Sequence, residues 1–192
     1  MKLYDITQEL FTSNVYKGDV PPTFIRQLKI KDGAPCNLTV LNMCAHNGTH
    51  IDAPYHFYDN GKTIEQMNLS KCIGKCSVVS FDTQPNLEQM ENVLTSCEKR
   101  LLFKGNVIIT IEIAKLLNNY HIELIGVESQ SVGPVDAPME VHLELLKEEV
   151  VLLEGIRLTD IPCGNYLLSA APLKLGGSDG APCRAVLIDI NE

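Results

Sequence analysis

The sequence predicts an α/β domain built on a mixed, strand-rich sheet with flanking helices. Eight short runs rich in Val, Ile and Leu, each bounded by turn residues, read as strands. Three longer segments carry helix-start signals. Strands outnumber helices and the two kinds alternate along the chain, which favours helices packed on a sheet. No internal repeat, low-complexity tract or long Pro/Gly/Ser linker interrupts residues 1–192, so a single domain is expected.

The expected strands are LYDIT (3–7), CNLTVLNMC (36–44), CSVVSF (76–81), NVIIT (106–110), LIGVES (124–129), VVLLEG (150–155), YLLSAAPLKL (166–175) and RAVLID (184–189). The first helix is expected over 86–100, with Asn86 as N-cap and Gln89 at the third helical position, where a capping box places it. The second covers 111–120 behind Thr110, another cap residue. The third covers 137–149 behind Asp136, with Pro138 in the first turn, where its missing N–H removes no helical bond.

Composition narrows the function. A formal charge of −8 argues against phosphate-backbone binding, which needs clustered Lys and Arg. No run approaches the roughly 20 apolar residues that span a bilayer. MKLYDITQELFTSN lacks the basic-then-apolar pattern of a signal peptide. The expectation is a cytoplasmic protein with neither a nucleic-acid nor a membrane partner. Seven cysteines with no CxxC pair, Cys72 and Cys76 being the closest couple, read as reduced thiols and not as a zinc site.

AHNGTHIDAPYH (45–56) holds three of the five histidines. Read as extended chain, His46, Gly48, His50 and Asp52 point to one face, with Gly48 leaving room for an ion. A helix is disfavoured by Gly48, the β-branched Thr49 and Ile51, and Pro54. Imidazole nitrogen beside carboxylate oxygen suits Zn²⁺, Mn²⁺ or Fe²⁺. Three such side chains leave coordination positions open, as catalytic sites do. The alternative is a polar loop whose histidines hydrogen-bond locally. His56 lies just past a turn, close to the cluster. His142, in APMEVHLELL, reads equally as a helical histidine hydrogen-bonded at the surface. Glu154 ends an apolar run, where a carboxylate is costly unless paired or metal-bound. His121 matches no motif and reads as a surface or helix-end residue.

HNGTHIDAPYHF resembles the H-x-G-T-H-x-D-x-P-x-H signature of the cyclase family of metal-dependent hydrolases, and within it the kynurenine formamidases (arylformamidases). GVESQSVGP (126–134), the PLK and DGAPCRA elements within 153–188, and VYKGDVP (15–21) extend the resemblance nearly end to end. The resemblance implies a swivelling β/β/α fold and a homodimer or tetramer. It implies two divalent ions, zinc by default and manganese as the alternative. His46 and His50 would hold one ion, His142 the other, and Asp52 and Glu154 would bridge them. His56 would move protons without binding metal. Tyr16 stands where formamidases carry Trp, and it would either stack on a flat substrate ring or simply pack; Lys17 replaces a Pro. Phe57, Tyr58 and Phe24 are further candidates for a pocket wall. The implied reaction is hydrolysis of a small aryl formamide such as N-formylkynurenine, in tryptophan catabolism. The alternatives are a cyclic-amide hydrolase of the isatin type and, in a different class, a metal- or ligand-binding module without turnover. No G-x-S-x-G motif and no cysteine in a catalytic setting points to a protein nucleophile.

Overall fold

The computed structural model describes residues 1–189. Its strands are β1 (Lys2–Asp5), β2 (Thr23–Leu28), β3 (Leu38–Asn42), β4 (His50–Asp52), β5 (Ile73–Ser80), β6 (Arg100–Lys104), β7 (Leu124–Val127), β8 (Val151–Glu154), β9 (Gly164–Ser169), β10 (Gly180–Pro182) and β11 (Val186–Asp189). The helices are α1 (Leu87–Leu94), α2 (Ile111–Asn119) and α3 (Pro138–Leu146). Nine strands form one mixed sheet in the order β1-β11-β9-β5-β6-β7-β8-β4-β10, while β2 and β3 make a separate hairpin. The expected α/β class is therefore observed.

The parallel centre runs β5-β6-β7-β8, with α1, α2 and α3 filling the three crossovers. Strands covered on both faces read as unbroken apolar runs, and every residue of β7 and β8 is buried. Alternation along β6 sends Leu101 and Phe103 to the helix face, against Met90, Ile113 and Leu145. Leu102 points the other way, into a second core with Ile51, Leu153 and Leu168. Cys72, Cys76 and Cys183 pack in this second core, where burial pushes their thiols up to about 11, 12 and 12. No helix among the described residues is long and apolar enough to cross a membrane.

Local signals set the helix starts. Asn86 and Gln89 form the expected capping box, and the Thr110 hydroxyl accepts the Ile113 N–H. Asp136 does not cap α3: the N-cap is Ala137, with no side-chain bond, and Pro138 opens the helix. His121 lies exposed just beyond α2 at φ 53°, as a helix-end residue.

Several elements differ from expectation: β2 was not foreseen, and of the run 166–175 only the part up to Ser169 is strand, within β9. The first helix stops at Leu94, because residues 100–104 are needed as the buried strand β6. Residues 106–110 are apolar yet lack a ladder partner; Val107 and Ile109 instead bury themselves ahead of α2. The expected strand at 36–44 exists but pairs with β2, whose six residues are all exposed. Finally, the short edge strand β10 pairs with β4 and was not foreseen.

Gly155 follows β8 at φ +68° and locks the site's framework. Its carbonyl accepts from Gln8 Nε2 and Thr49 Oγ1, both at 2.7 Å. An added Cβ would sit 2.4 Å from Gln8 Nε2 and 2.5 Å from the Gly48 carbonyl. Gly155→Ala should therefore lower stability by about 2–4 kcal/mol, from left-handed backbone strain plus overpacking. Urea denaturation checks it, and a change within about 0.5 kcal/mol of zero, the usual range for surface substitutions, would contradict the argument.

Candidate active site

The site forms where the carboxyl end of the parallel sheet meets β4, the position at which open α/β sheets place their ligands. β4 is bonded along both edges: His50 pairs with Glu154 and Asp52 with Leu152 on β8, while Asp52 pairs with Gly180 on β10. Cross-strand partners share a face, so His50, Asp52 and Glu154 all point towards the helices. There α3 presents His142. A three-residue turn, Pro54–His56, brings His56 back over the site, and the His56 N–H donates to the Ala53 carbonyl.

The alternation expected over 46–52 holds only for His50 and Asp52. Residues 45–49 form a turn, and His46 joins the cluster through it. Gly48 is needed for its φ of +67° and not for ion space, since an added Cβ would meet Leu10 Cδ1 at 3.3 Å.

The geometry centres on two carboxylates that are almost wholly buried, Asp52 and Glu154. His50 Nε2 stands 3.5 Å from Asp52 Oδ1 and 3.3 Å from Glu154 Oε2. His142 Nε2 stands 3.7 Å from Asp52 Oδ2 and 3.4 Å from Glu154 Oε1. Each histidine thus faces one oxygen of each carboxylate, and the two histidines take opposite oxygens. Both present Nε2 because Nδ1–H is engaged elsewhere, in His50 with the Gly48 carbonyl at 3.0 Å and in His142 with the Pro138 carbonyl at 2.8 Å. The Val132 N–H donates to Glu154 Oε1 at 2.7 Å and fixes that carboxylate.

His46 differs from these two. Its Nδ1 lies 2.8 Å from Asp52 Oδ1 and its Nε2 lies 2.9 Å from Asp179 Oδ2. Burial opposes its charge, but the hydrogen bonds to Asp179 and Asp52 prevail and raise its pKa to about 11. Burial would raise Asp52 as well, yet the imidazoles around it, His46 foremost, hold it down at about 2. Hydrogen bonds from His46 and His56 hold the Asp179 carboxyl well below the usual range. The pKa values of His50 and His142 rise because the Glu154 and Asp52 carboxylates outweigh burial.

This donor set fits divalent cations. Two ligands about 2.0–2.2 Å from one ion at a tetrahedral angle stand about 3.3–3.6 Å apart. The His50 separations of 3.3 and 3.5 Å match that edge, and they exceed a good N–H···O bond of about 2.7–3.2 Å. Ligand atoms of His50, Asp52 and Glu154 lie within 4.8 Å of one another, as do those of His46, Asp52 and His56, so Asp52 belongs to both groups.

An open cavity leads to these residues, with Tyr16, Phe57 and Gln130 among its walls. Phe57 stacks on the His142 ring, with centroids 4.6 Å apart. Tyr58 does not line this cavity; its hydroxyl donates to the Leu143 carbonyl. Phe24 lies on the hairpin against Phe11, also away from it. Asp179 went unassigned in the sequence, because an Asp inside GGSDGAP looks like an ordinary turn former. Only its contacts with His46 and His56 set it apart.

A model of the Cyclase family, described as Putative cyclase, matches residues 4–101. The chain belongs to the Cyclase family. The kynurenine formamidase of Erythrobacter litoralis (strain HTCC2594) is similar to this Cyclase-family chain at 32% identity, over 98% of this chain and 94% of its own. That of Bacillus cereus (strain ATCC 10987 / NRS 248) is 31% identical over 95% of each. A solved potential metal-dependent hydrolase with cyclase activity superposes at TM-score 0.82 and 28% identity, covering 97% of this chain and 96% of that one. An isatin hydrolase bound to the product analogue thioisatinate reaches the same TM-score at 16% identity, over 97% and 91% of the two chains, a likeness of fold alone. The Cyclase-family chain is a hydrolytic enzyme, which sets aside the reading as a binding module without turnover.

Proposed function

We propose that this chain is a metal-dependent amidohydrolase that cleaves a small aryl formamide of the N-formylkynurenine kind. The observation that carries the reading is the pair of buried carboxylates whose opposite oxygens face His50 and His142. In this reading His46 and His50 hold one divalent cation and His142 a second, with Asp52 and Glu154 shared between them. Bound cations of this kind lower the pKa of water and polarise a carbonyl oxygen. His56 is the proton carrier: its imidazole accepts a proton as water adds to the formyl carbon, and returns it to the departing aryl amine. Tyr16 and Phe57 line the cavity and suit a flat ring. The relatives named kynurenine formamidase support the aryl formamide as substrate. Apolar side chains exposed on the hairpin, among them Ile25 and Leu41, support a homo-oligomer. A single domain working in the cytoplasm completes the reading.

Elemental analysis and kinetics test it together. The purified protein should carry about two divalent ions per chain, zinc or manganese, and chelation should abolish formamidase turnover, with recovery on adding either metal back. N-formylkynurenine should be hydrolysed and isatin left intact. Full turnover in metal-stripped protein would overturn the reading. Isatin cleavage without formamidase activity would replace its substrate.

A further inference from the structure

Asp179 is a carboxylate at the site that none of the expected roles includes, and it contacts two of the site's histidines. Its Oδ2 lies 3.1 Å from His56 Nδ1 and 2.9 Å from His46 Nε2. We propose that Asp179 is the positioning residue for His56, accepting its Nδ1–H so that the proton exchanged in hydrolysis travels through Nε2. The inference rests on the proton-carrying role given to His56 above.

The argument is one of donors and acceptors. An ionised carboxylate only accepts, so the imidazole nitrogen facing it must carry hydrogen. A neutral imidazole has a single N–H, and engaging it at Nδ1 leaves Nε2 with its lone pair. The imidazole is otherwise weakly held. His56 touches the His46 ring at a centroid distance of 4.1 Å and sets its edge to Phe57 at 4.6 Å, and its side chain is 30% exposed. Ring contacts limit its tilt but cannot select a tautomer. Among the described contacts, Asp179 supplies the one hydrogen bond to a His56 ring nitrogen.

The aspartate itself is firmly placed. Its carbonyl accepts the Ala53 N–H at 2.9 Å, one residue before the turn that carries His56. The preceding Ser178 carbonyl accepts from Ile64 N–H at 2.9 Å, and the next residue, Gly180, enters the β10–β4 ladder opposite Asp52. A Cβ on Gly180 would stand 2.7 Å from His46 Cε1, so the glycine allows the His46 ring to lie close enough to hold Asp179 from its other side. The carboxylate is thus fixed by main chain and by a second imidazole, and His56 is oriented against a rigid acceptor.

Asp179→Ala, with Asp179→Asn as the shape-conserving control, tests this in the metal-loaded enzyme. The expected result, measured in saturating metal because Asp179 also accepts from the proposed ligand His46, is a fall in kcat of about 10²-fold with KM changed by less than about threefold. That is less than the about 10⁴-fold lost when the aspartate of a buried Ser-His-Asp triad is altered, because the 42% exposed Asp179 side chain lets water substitute as acceptor. Nitrogen-15 NMR of the imidazoles should show His56 as the Nδ1–H tautomer in the parent and as a mixture in Asp179→Ala. In a His56→Ala background, Asp179→Ala should slow turnover no further. A parent His56 protonated on Nε2, an unchanged kcat, or multiplying effects in the double variant would each overturn the proposal. The proton-transfer reading fails differently: His56→Ala then keeps full turnover. Failure of this inference alone leaves His56→Ala inactive and Asp179→Ala active.

Discussion

Asp52→Ala should lose bound metal and turnover together, with activity reduced by at least about 10⁴-fold, since both the solvent activation and the carbonyl polarisation depend on the ions. The reason lies in its two oxygens. Oδ1 serves the His46 and His50 side and Oδ2 the His142 side, so a single truncation empties both candidate positions. The buried imidazoles lose one of their counter-charges at the same time. Asp52→Asn keeps the shape and separates charge from packing, and circular dichroism with elemental analysis checks both variants. The sign of the pH effect follows from the carboxyl being held down at about 2. A depressed carboxylate stabilises the fold above its unfolded pKa of about 3.9 and loses that contribution as pH falls towards 2. In metal-free protein, melting temperatures for the parent and Asp52→Asn should therefore converge in acid and separate near neutrality. A variant that retains two ions per chain would refute the bridging role.

His56→Ala should keep its metal and lose most of its turnover, with kcat lower by about 10²–10⁴-fold, the range for removing a general acid–base group. Its ring is held by Asp179 and by contacts with His46 and Phe57, and it sits on a turn instead of on the β4 ladder. Removing it leaves every carboxylate oxygen facing His50 and His142 in place. Elemental analysis beside kinetics separates it from Asp52→Ala. Should both variants lose metal equally, His56 is a ligand and the proton must travel by another group. The short distances grouping His46, Asp52 and His56 make this a sharp test.

Much of the architecture was legible where local chemistry and burial agree. The capping box at Asn86 and the cap at Thr110 set two helix starts, and the fully buried runs at 124–127 and 151–154 could only be interior strands. The elements that escaped have no such signal. β2 buries nothing, so it shows no two-residue apolar rhythm. β10 is Gly-Ala-Pro, poor in strand propensity, and exists because β4 offers it an edge. Residues 106–110 misled in the opposite direction, being apolar enough for a strand but buried without partners. At the site, spacing alone brought His50 and Asp52 to one face. His142 and Glu154 needed the family resemblance, because their closeness to Asp52 arises from α3 and β8 packing across some hundred residues of chain, which no local pattern encodes. Asp179 is set apart only by the fold, which carries it to His46 and His56 from more than a hundred residues away.

The double-edged bonding of β4 has a bearing on how the site is filled. A strand bonded along both edges holds the backbone of His50 and Asp52 in place, so adjustment to ions of different radius would fall to their side chains. In the proposed two-cation reading, loading would demand little ordering of this strand's backbone. Which divalent ion the proposed site would take then follows from supply and coordination preference.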